Sequence, residues 1–326
     1  AVGLFGFLLA GLRITSGGIT PDVVIFGVIH GVSQQIFLIV TTESRSNNEP
    51  LRFSVQSLSR SIGLIILAVP AAYILHSAKS AILAESFATM AVTLAVFRKV
   101  SYRLPINSGR TVMLAVRSLR FLNWRSIGTL LLLSVAGACS TNLDRWLSST
   151  YLQPVEFAQY SFAWITLTAA FAVQSLVNAS IFPMIARRSA IYGIQSAFRL
   201  SALAAFGMLA VFLISIIPAV YSADLAIGKL YPNYVMAMPL IPILAIAAAF
   251  RISDFWSSFL VINGKEETSL AINVGINIFA VGIWATTRFG AGSISLSLAY
   301  LAAFSAIGTY LLSFFYSYKH YRGKYA

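Results

Sequence analysis

Apolar stretches long enough to cross a bilayer follow one another along the whole chain, with only short polar loops between them. A typical hydrocarbon core takes about 20 helical residues to cross. Candidate spans run at 21–41, 56–76, 79–97, 124–143, 159–183, 197–221, 235–261, 268–287 and 293–317. Backbone N–H and C=O groups find no partner in lipid, so each crossing must be a helix or part of a closed barrel. Long runs without polar–apolar alternation exclude the barrel. The expected fold is therefore all-α, a polytopic membrane helical bundle. Composition agrees: 58% hydrophobic and 10% charged residues leave too little polar surface to cover a water-soluble globule of this size.

The placement of Lys and Arg orients the bundle. With the basic segment 98–125 on the cytoplasmic side, alternation brings there Arg45, Arg52 and Arg60, then Arg187, Arg188 and Arg199, then Lys265, and finally Lys319, Arg322 and Lys324. About 17 basic residues gather on that side against about five (Arg13, Lys79, Arg145, Lys229 and Arg288) on the other, with Arg251 left inside a span. Topology thus accounts for most of the net charge of +13 without a nucleic-acid partner, and anionic lipid headgroups are the expected counterpart. The single cysteine, Cys139, lies in an apolar stretch and offers neither a disulfide nor a metal set.

Two stretches share one plan of charged loop, span, small-residue turn, second span and aromatic-basic exit. The first runs from Arg45 through His76-Ser77-Ala78-Lys79 to Phe97-Arg98-Lys99, the second from Lys265 through Phe289-Gly290-Ala291-Gly292 to Tyr318-Lys319, at an offset of about 220 residues. The offset predicts counterparts of the spans 124–143 and 159–183 upstream of Ala1, with residues 1–12 ending a third. On this reading the chain holds two lobes, the first incomplete and lacking roughly 100 residues of a longer protein, as alternating-access transporters are built. The expected organisation is a remainder of an N-terminal lobe at 1–97, a cytoplasmic linker at 98–123 and a six-helix lobe at 124–326. The linker mixes Arg103, Arg110, Arg117 and Arg120 with Val112, Met113, Leu114, Val116 and Leu119, the pattern of a basic amphipathic helix lying on the membrane surface.

The second lobe opens with Asn142-Leu143-Asp144-Arg145-Trp146-Leu147-Ser148-Ser149 and Glu156-Phe157-Ala158-Gln159-Tyr160, and its next span closes on Phe182-Pro183-Met184. Gly228-Lys229-Leu230-Tyr231, Gly264-Lys265 with Asn273 and Asn277, and Gly290-Ala291-Gly292 follow in order. This series resembles the polysaccharide transporter family, the Wzx-type flippases of O-antigen and other oligosaccharides in the MATE-like multidrug/oligosaccharidyl-lipid/polysaccharide superfamily. Ala158 departs from it, at a position where the family commonly has Gly. The resemblance implies a two-lobe MATE-like fold in the bacterial inner membrane. It also implies translocation of an undecaprenyl-pyrophosphate-linked oligosaccharide by alternating access, with lipid and other polysaccharide assembly proteins as partners.

Ionisable groups inside a bilayer cost roughly 2.5–3.5 kcal/mol each on insertion scales and so tend to face protein or water. Arg251 and Asp254 lie three apart in one span. They read either as a cavity cation for a substrate phosphate with an orienting carboxylate, or as a neutralised intrahelical pair reaching toward the interface. Asp144 and Arg145, at the far mouth of their span, read as a gate between lobes or as a structural pair at a helix end. His30 and Gln34 share a stripe with Gly27 and Gly31; they are sugar donors on one reading and, on the other, polar groups beside a close helix contact. Gln174 with Asn178, and Asn273 with Asn277, are i,i+4 polar pairs for which interhelical hydrogen bonds compete with ligand contacts. Glu85, near the outer end of its span, reads as a helix-end carboxylate or as an ion-coupling group.

No catalytic or metal constellation is expected. His30, His76 and His320 have no ligand spacing to one another, and no Gly-rich nucleotide loop occurs. The reading is a transporter rather than an enzyme, without a cofactor. The alternative in transport is a MATE-like ion-coupled exporter of drugs or metabolites. From another class, an integral-membrane glycosyltransferase or polysaccharide polymerase should carry a large acidic extracytoplasmic loop, and the longest candidate, 221–234, holds only Asp224. A non-transporting scaffold of a polysaccharide assembly complex is a further alternative.

Overall fold

The computed structural model describes residues 21–46, 49–103, 113, 117–121, 123–287 and 293–323. Among them all regular structure is helical. The segment 1–12, most of the surface helix expected at 98–125 and the Gly290-Ala291-Gly292 turn lie outside the described residues. Chain contacts divide the molecule into two compact units, Ala1–Asn123 and Trp124–Ala326.

Among its described residues the first unit has the long helices α1 (Pro21–Ser46), α2 (Pro50–Leu75) and α3 (Ala78–Arg103). Pro50 starts α2, where the missing N–H of proline leaves nothing unsatisfied. His76 ends it in the left-handed conformation (φ 44°), a single-residue stop before α3. The central helix is α3: it packs on both others and buries Ala88, Thr89, Thr93 and Val96. Polar groups tie the three together. Ser44 Oγ donates to Gln56 Oε1 at 2.8 Å, and Arg60 Nε donates to Thr89 Oγ1 at 3.3 Å while its guanidinium lies over the Phe37 ring. Gly27 makes no close approach, since a Cβ there would meet nothing within 4 Å. The tight packing expected from the glycine pair is therefore absent at that position.

The second unit is built from α4 (Trp124–Tyr151), α5 (Pro154–Ala163), α6 (Ile165–Leu230), α7 (Leu240–Ile252), α8 (Phe255–Ile262), α9 (Glu266–Thr287) and α10 (Ile294–Arg322). A straight helix of 66 residues would be about 99 Å long, three bilayers deep. The chain turns instead at Gly193, whose φ of 76° and ψ of 178° belong to glycine. This corner divides α6 into two membrane-crossing limbs where the sequence places the loop between 183 and 197. The span expected at 235–261 is likewise broken, into α7 and α8 around Ser253 and Asp254.

Within the most apolar 18-residue stretches of Leu240–Ile262 and Ile294–Arg322, 61% and 50% of residues are buried, against 0% in that of Trp124–Tyr151, so α7, α8 and α10 form the centre of this unit. Small residues make that centre compact: Ala247, Ala248 and Leu244 of α7 meet Leu298, Ala299, Ala302 and Ala306 of α10 in one core. At Gly308 a Cβ would stand 3.0 Å from Ile276 Cδ1, which marks a close approach of α10 to α9. A second core of Trp256, Phe259, Phe255 and Tyr310 packs against Phe198 and Phe314.

Helix ends sort into two sets. At one end Arg125 pairs with Glu267 (2.7 Å), Ser126 donates to Glu266, and Ser189 donates to Asn263 (3.1 Å). At the other, Tyr151 packs edge-on against Trp284, and Trp284 Nε1 donates to Ser297 at 3.1 Å. Large apolar side chains such as Ile214, Ile217 and Leu203 point outward, more than 70% exposed, as on a surface that meets acyl chains. The molecule is an all-α, multi-pass membrane helical bundle.

Candidate functional site

The interior of the second unit holds a cavity of about 140 Å³ among α4, α6, α7, α9 and α10. Arg251 and Asp254 line it from the break between α7 and α8, Gln174 and Phe171 from α6, Ser140 and Thr141 from α4, Asn273 from α9, and Ser305 and Thr309 from α10. Sequence spacing puts Arg251 and Asp254 on one helical face, but the helix ends between them. Ser253 Oγ donates to Ala249 O at 2.7 Å, and Asp254 starts the next helix as its N-cap, accepting from Ser257 N (3.2 Å) and Ser257 Oγ (2.6 Å). Asp254 thus serves the α8 N-terminus and does not form an intrahelical pair with Arg251.

Arg251 is held by neutral groups. Its Nη1 and Nη2 donate to the carbonyls of Thr141 and Ser140, both at 3.4 Å, and the guanidinium lies 5.9 Å from the Phe171 ring centre. Among the described residues no carboxylate lies within 4 Å of it. The long bonds use few of the five guanidinium N–H groups, so the cation keeps donors for the cavity.

Gln174 Nε2 donates to Arg251 O at 2.9 Å, satisfying a carbonyl freed by the helix break. Its expected i,i+4 partner Asn178 is half-buried one turn further along α6. Asn277 Nδ2 donates to Asn273 O (2.5 Å), and Asn277 Oδ1 accepts from Ser140 Oγ (3.2 Å) and Ser305 Oγ (2.8 Å). One amide therefore stitches α4, α9 and α10 along the cavity wall.

Asp144 and Arg145 separate from each other. Asp144 is fully buried, its Oδ2 accepting from Tyr160 Oη (2.7 Å) and Trp164 Nε1 (3.1 Å), with Oδ1 unpartnered. Arg145 stacks over the Trp164 ring at 4.5 Å. The sequence carries no local sign that Tyr160 and Trp164, one turn apart at the α5–α6 junction, converge on Asp144; tertiary packing alone brings them there.

In the first unit His30 Nε2 stands 3.6 Å from Glu85 Oε1, joining α1 to α3 inside their spans. Gln34 is half-buried one turn along α1. The sequence gives no hint of the His30–Glu85 pairing, because the residues are 55 positions removed and no motif links them.

No protein-family model matches the chain, and no curated protein matches it in sequence. Among solved structures, the chain is similar to the crystal structure of a mutant of the Vibrio cholerae MATE transporter VcmN, with 16% identity and a TM-score of 0.63, over 99% of this chain and 76% of that one. Taken with the eight helices, among the described residues, that are long and apolar enough to cross a membrane, this likeness makes the chain a multi-pass membrane protein with the fold of a MATE transporter.

Proposed function

We propose that this chain is a transporter that carries a lipid-linked oligosaccharide, its carrier an undecaprenyl pyrophosphate, across the bacterial inner membrane by alternating access. The observation that carries the reading is Arg251, an intramembrane guanidinium bonded, among the described residues, to two carbonyls and lying by an aromatic face, opening on a cavity lined largely with amides and hydroxyls. On this reading the cavity of about 140 Å³ beside Arg251 takes the pyrophosphate. Sugars would lie beyond it, and the polyprenyl tail in lipid. A fixed cation lowers the cost of moving anionic oxygens through low dielectric. The ordered motifs around Asp144, Phe182-Pro183 and Gly264-Lys265 support the substrate class through family resemblance.

A second reading, an ion-coupled exporter of drugs or metabolites, is favoured by the carboxylate of Asp254 in the same cavity and by the His30–Glu85 pair. Proteoliposomes separate the two. Under the flippase reading, labelled undecaprenyl-pyrophosphate oligosaccharide crosses with wild-type protein, Arg251→Ala loses most of the rate at normal membrane abundance, and Arg251→Lys keeps part of it. Full transport by the alanine variant removes Arg251 from the mechanism. Proton- or sodium-driven efflux of an organic cation, with no movement of the lipid-linked sugar, establishes the exporter instead.

A further inference from the structure

A second polar pocket lies away from the central cavity, at the end of the unit where α8 passes into α9 and α10 finishes. It has a volume of about 320 Å³ and is lined by Lys265, Thr268, Lys319, His320, Tyr316, Leu260 and Gly323. Two cations from distant parts of the chain thus converge on one recess. The nearby carboxylates face elsewhere: Glu267 is paired with Arg125, and Glu266 accepts from Ser126, both on α4. Arg322 follows on α10, its guanidinium 6.0 Å from the Tyr318 ring centre. Among the described residues Lys265 and Lys319 thus stand as a positive pair lining the pocket. Their side chains are exposed, while Leu260 forms a buried apolar floor.

We infer that this pocket binds the headgroup phosphate of an anionic phospholipid. Basic recesses between membrane helices at the positively charged face suit such headgroups. The lining also carries what a free anion would not need: Tyr316, 40% exposed beside Lys319, has the amphipathic ring that sits at headgroup level. Lys265 and Lys319 neutralise the phosphate, Thr268 supplies a hydroxyl, and Tyr316 with Leu260 meets the glycerol and upper acyl chain. The site touches neither Arg251 nor its cavity, so it stands whichever substrate the transporter carries.

The test is thermal unfolding and native mass spectrometry of the purified whole chain in detergent, titrated with phosphatidylglycerol, phosphatidylcholine or inorganic phosphate. Phosphatidylglycerol should stabilise the wild type and remain bound where phosphatidylcholine does not. Lys265→Gln with Lys319→Gln should weaken that binding roughly 10- to 30-fold, the loss of two basic contacts at a membrane surface. Arg187→Gln with Arg188→Gln removes equal charge outside the pocket and should leave it unchanged. Lys319→Gln alone, at an exposed position, covers the case in which the double variant does not fold. Equal losses in the two double variants would overturn the pocket in favour of diffuse charge. An equal response to inorganic phosphate would overturn the lipid as its ligand.

Discussion

The two units hold their charged side chains in different ways. In the first, His30 stands by Glu85 within the spans and, at the helix ends, Arg52 bridges Glu43 and Glu49, each at 2.8 Å, while Arg60 meets the neutral Thr89 hydroxyl and the Phe37 ring. In the second, the hydrogen bonds to Arg251, Asp144 and Asp254 among the described residues come from neutral groups, although Asp144 and Arg251 also feel one another's charge. Carbonyls take Arg251, a phenol and an indole take Asp144, and a serine takes Asp254. A charge cancelled by its neighbour has little left for a ligand. One held by dipoles keeps its field and remains costly until a counter-charge arrives. On the proposed reading, a charged passenger would be met in the second unit, where Arg251 and Asp254 line a cavity.

This contrast breaks most readily at Asp144. Asp144→Ala strips the acceptor from two buried donors, Tyr160 Oη and Trp164 Nε1, and should destabilise the unit by on the order of 3 kcal/mol. The signature is a large drop in unfolding temperature, with Asp144→Asn recovering part of it because one acceptor oxygen remains. Next comes Asp254→Ala, which removes the α8 cap and should cost about 1 kcal/mol. Asp254→Asn should keep the stability and change only transport, so a full stability loss with asparagine would show that the charge, not the cap, matters there. The smallest effect belongs to the paired unit. Glu85→Gln, with side chains 21% and 35% exposed on the two partners, should shift stability by less than about 1 kcal/mol. If Glu85→Gln proves more damaging than Asp144→Ala, the ranking of the two units inverts.

Much of the architecture is legible in the chain because lipid permits so few solutions. Length and apolarity place the helices, and the gap between the spans at 159–183 and 197–221 brackets the corner of α6. The basic residues also mark which ends belong together: Lys265 and Lys319, read as sharing a side, line one pocket. Less legible is whatever depends on a local departure from helical geometry. Arg251 and Asp254 look like a helical pair until Asp254 is recognised as a cap with Ser257 three residues on, a pattern visible in the sequence but outweighed by the apolar run around it. Gly27 shows the converse, a close-packing spacing without a close neighbour. Asp144 with Tyr160 and Trp164, and His30 with Glu85, are products of packing between helices, which no window along one strand of sequence can display.

The interruption at Ser253 and Asp254 has an electrostatic consequence of its own. Helix α7 ends there with the negative pole of its peptide dipoles, and α8 begins with a positive pole, each equivalent to about half an elementary charge. Arg251 occupies the last turn of the first and Asp254 the N-cap of the second, so each pole carries its own countercharge. The pair of half-helices forms a balanced quadrupole within the membrane. A passenger anion that draws the Arg251 guanidinium from the Thr141 and Ser140 carbonyls of α4 would unbalance it, turning ligand binding into a force on the junction between two rods.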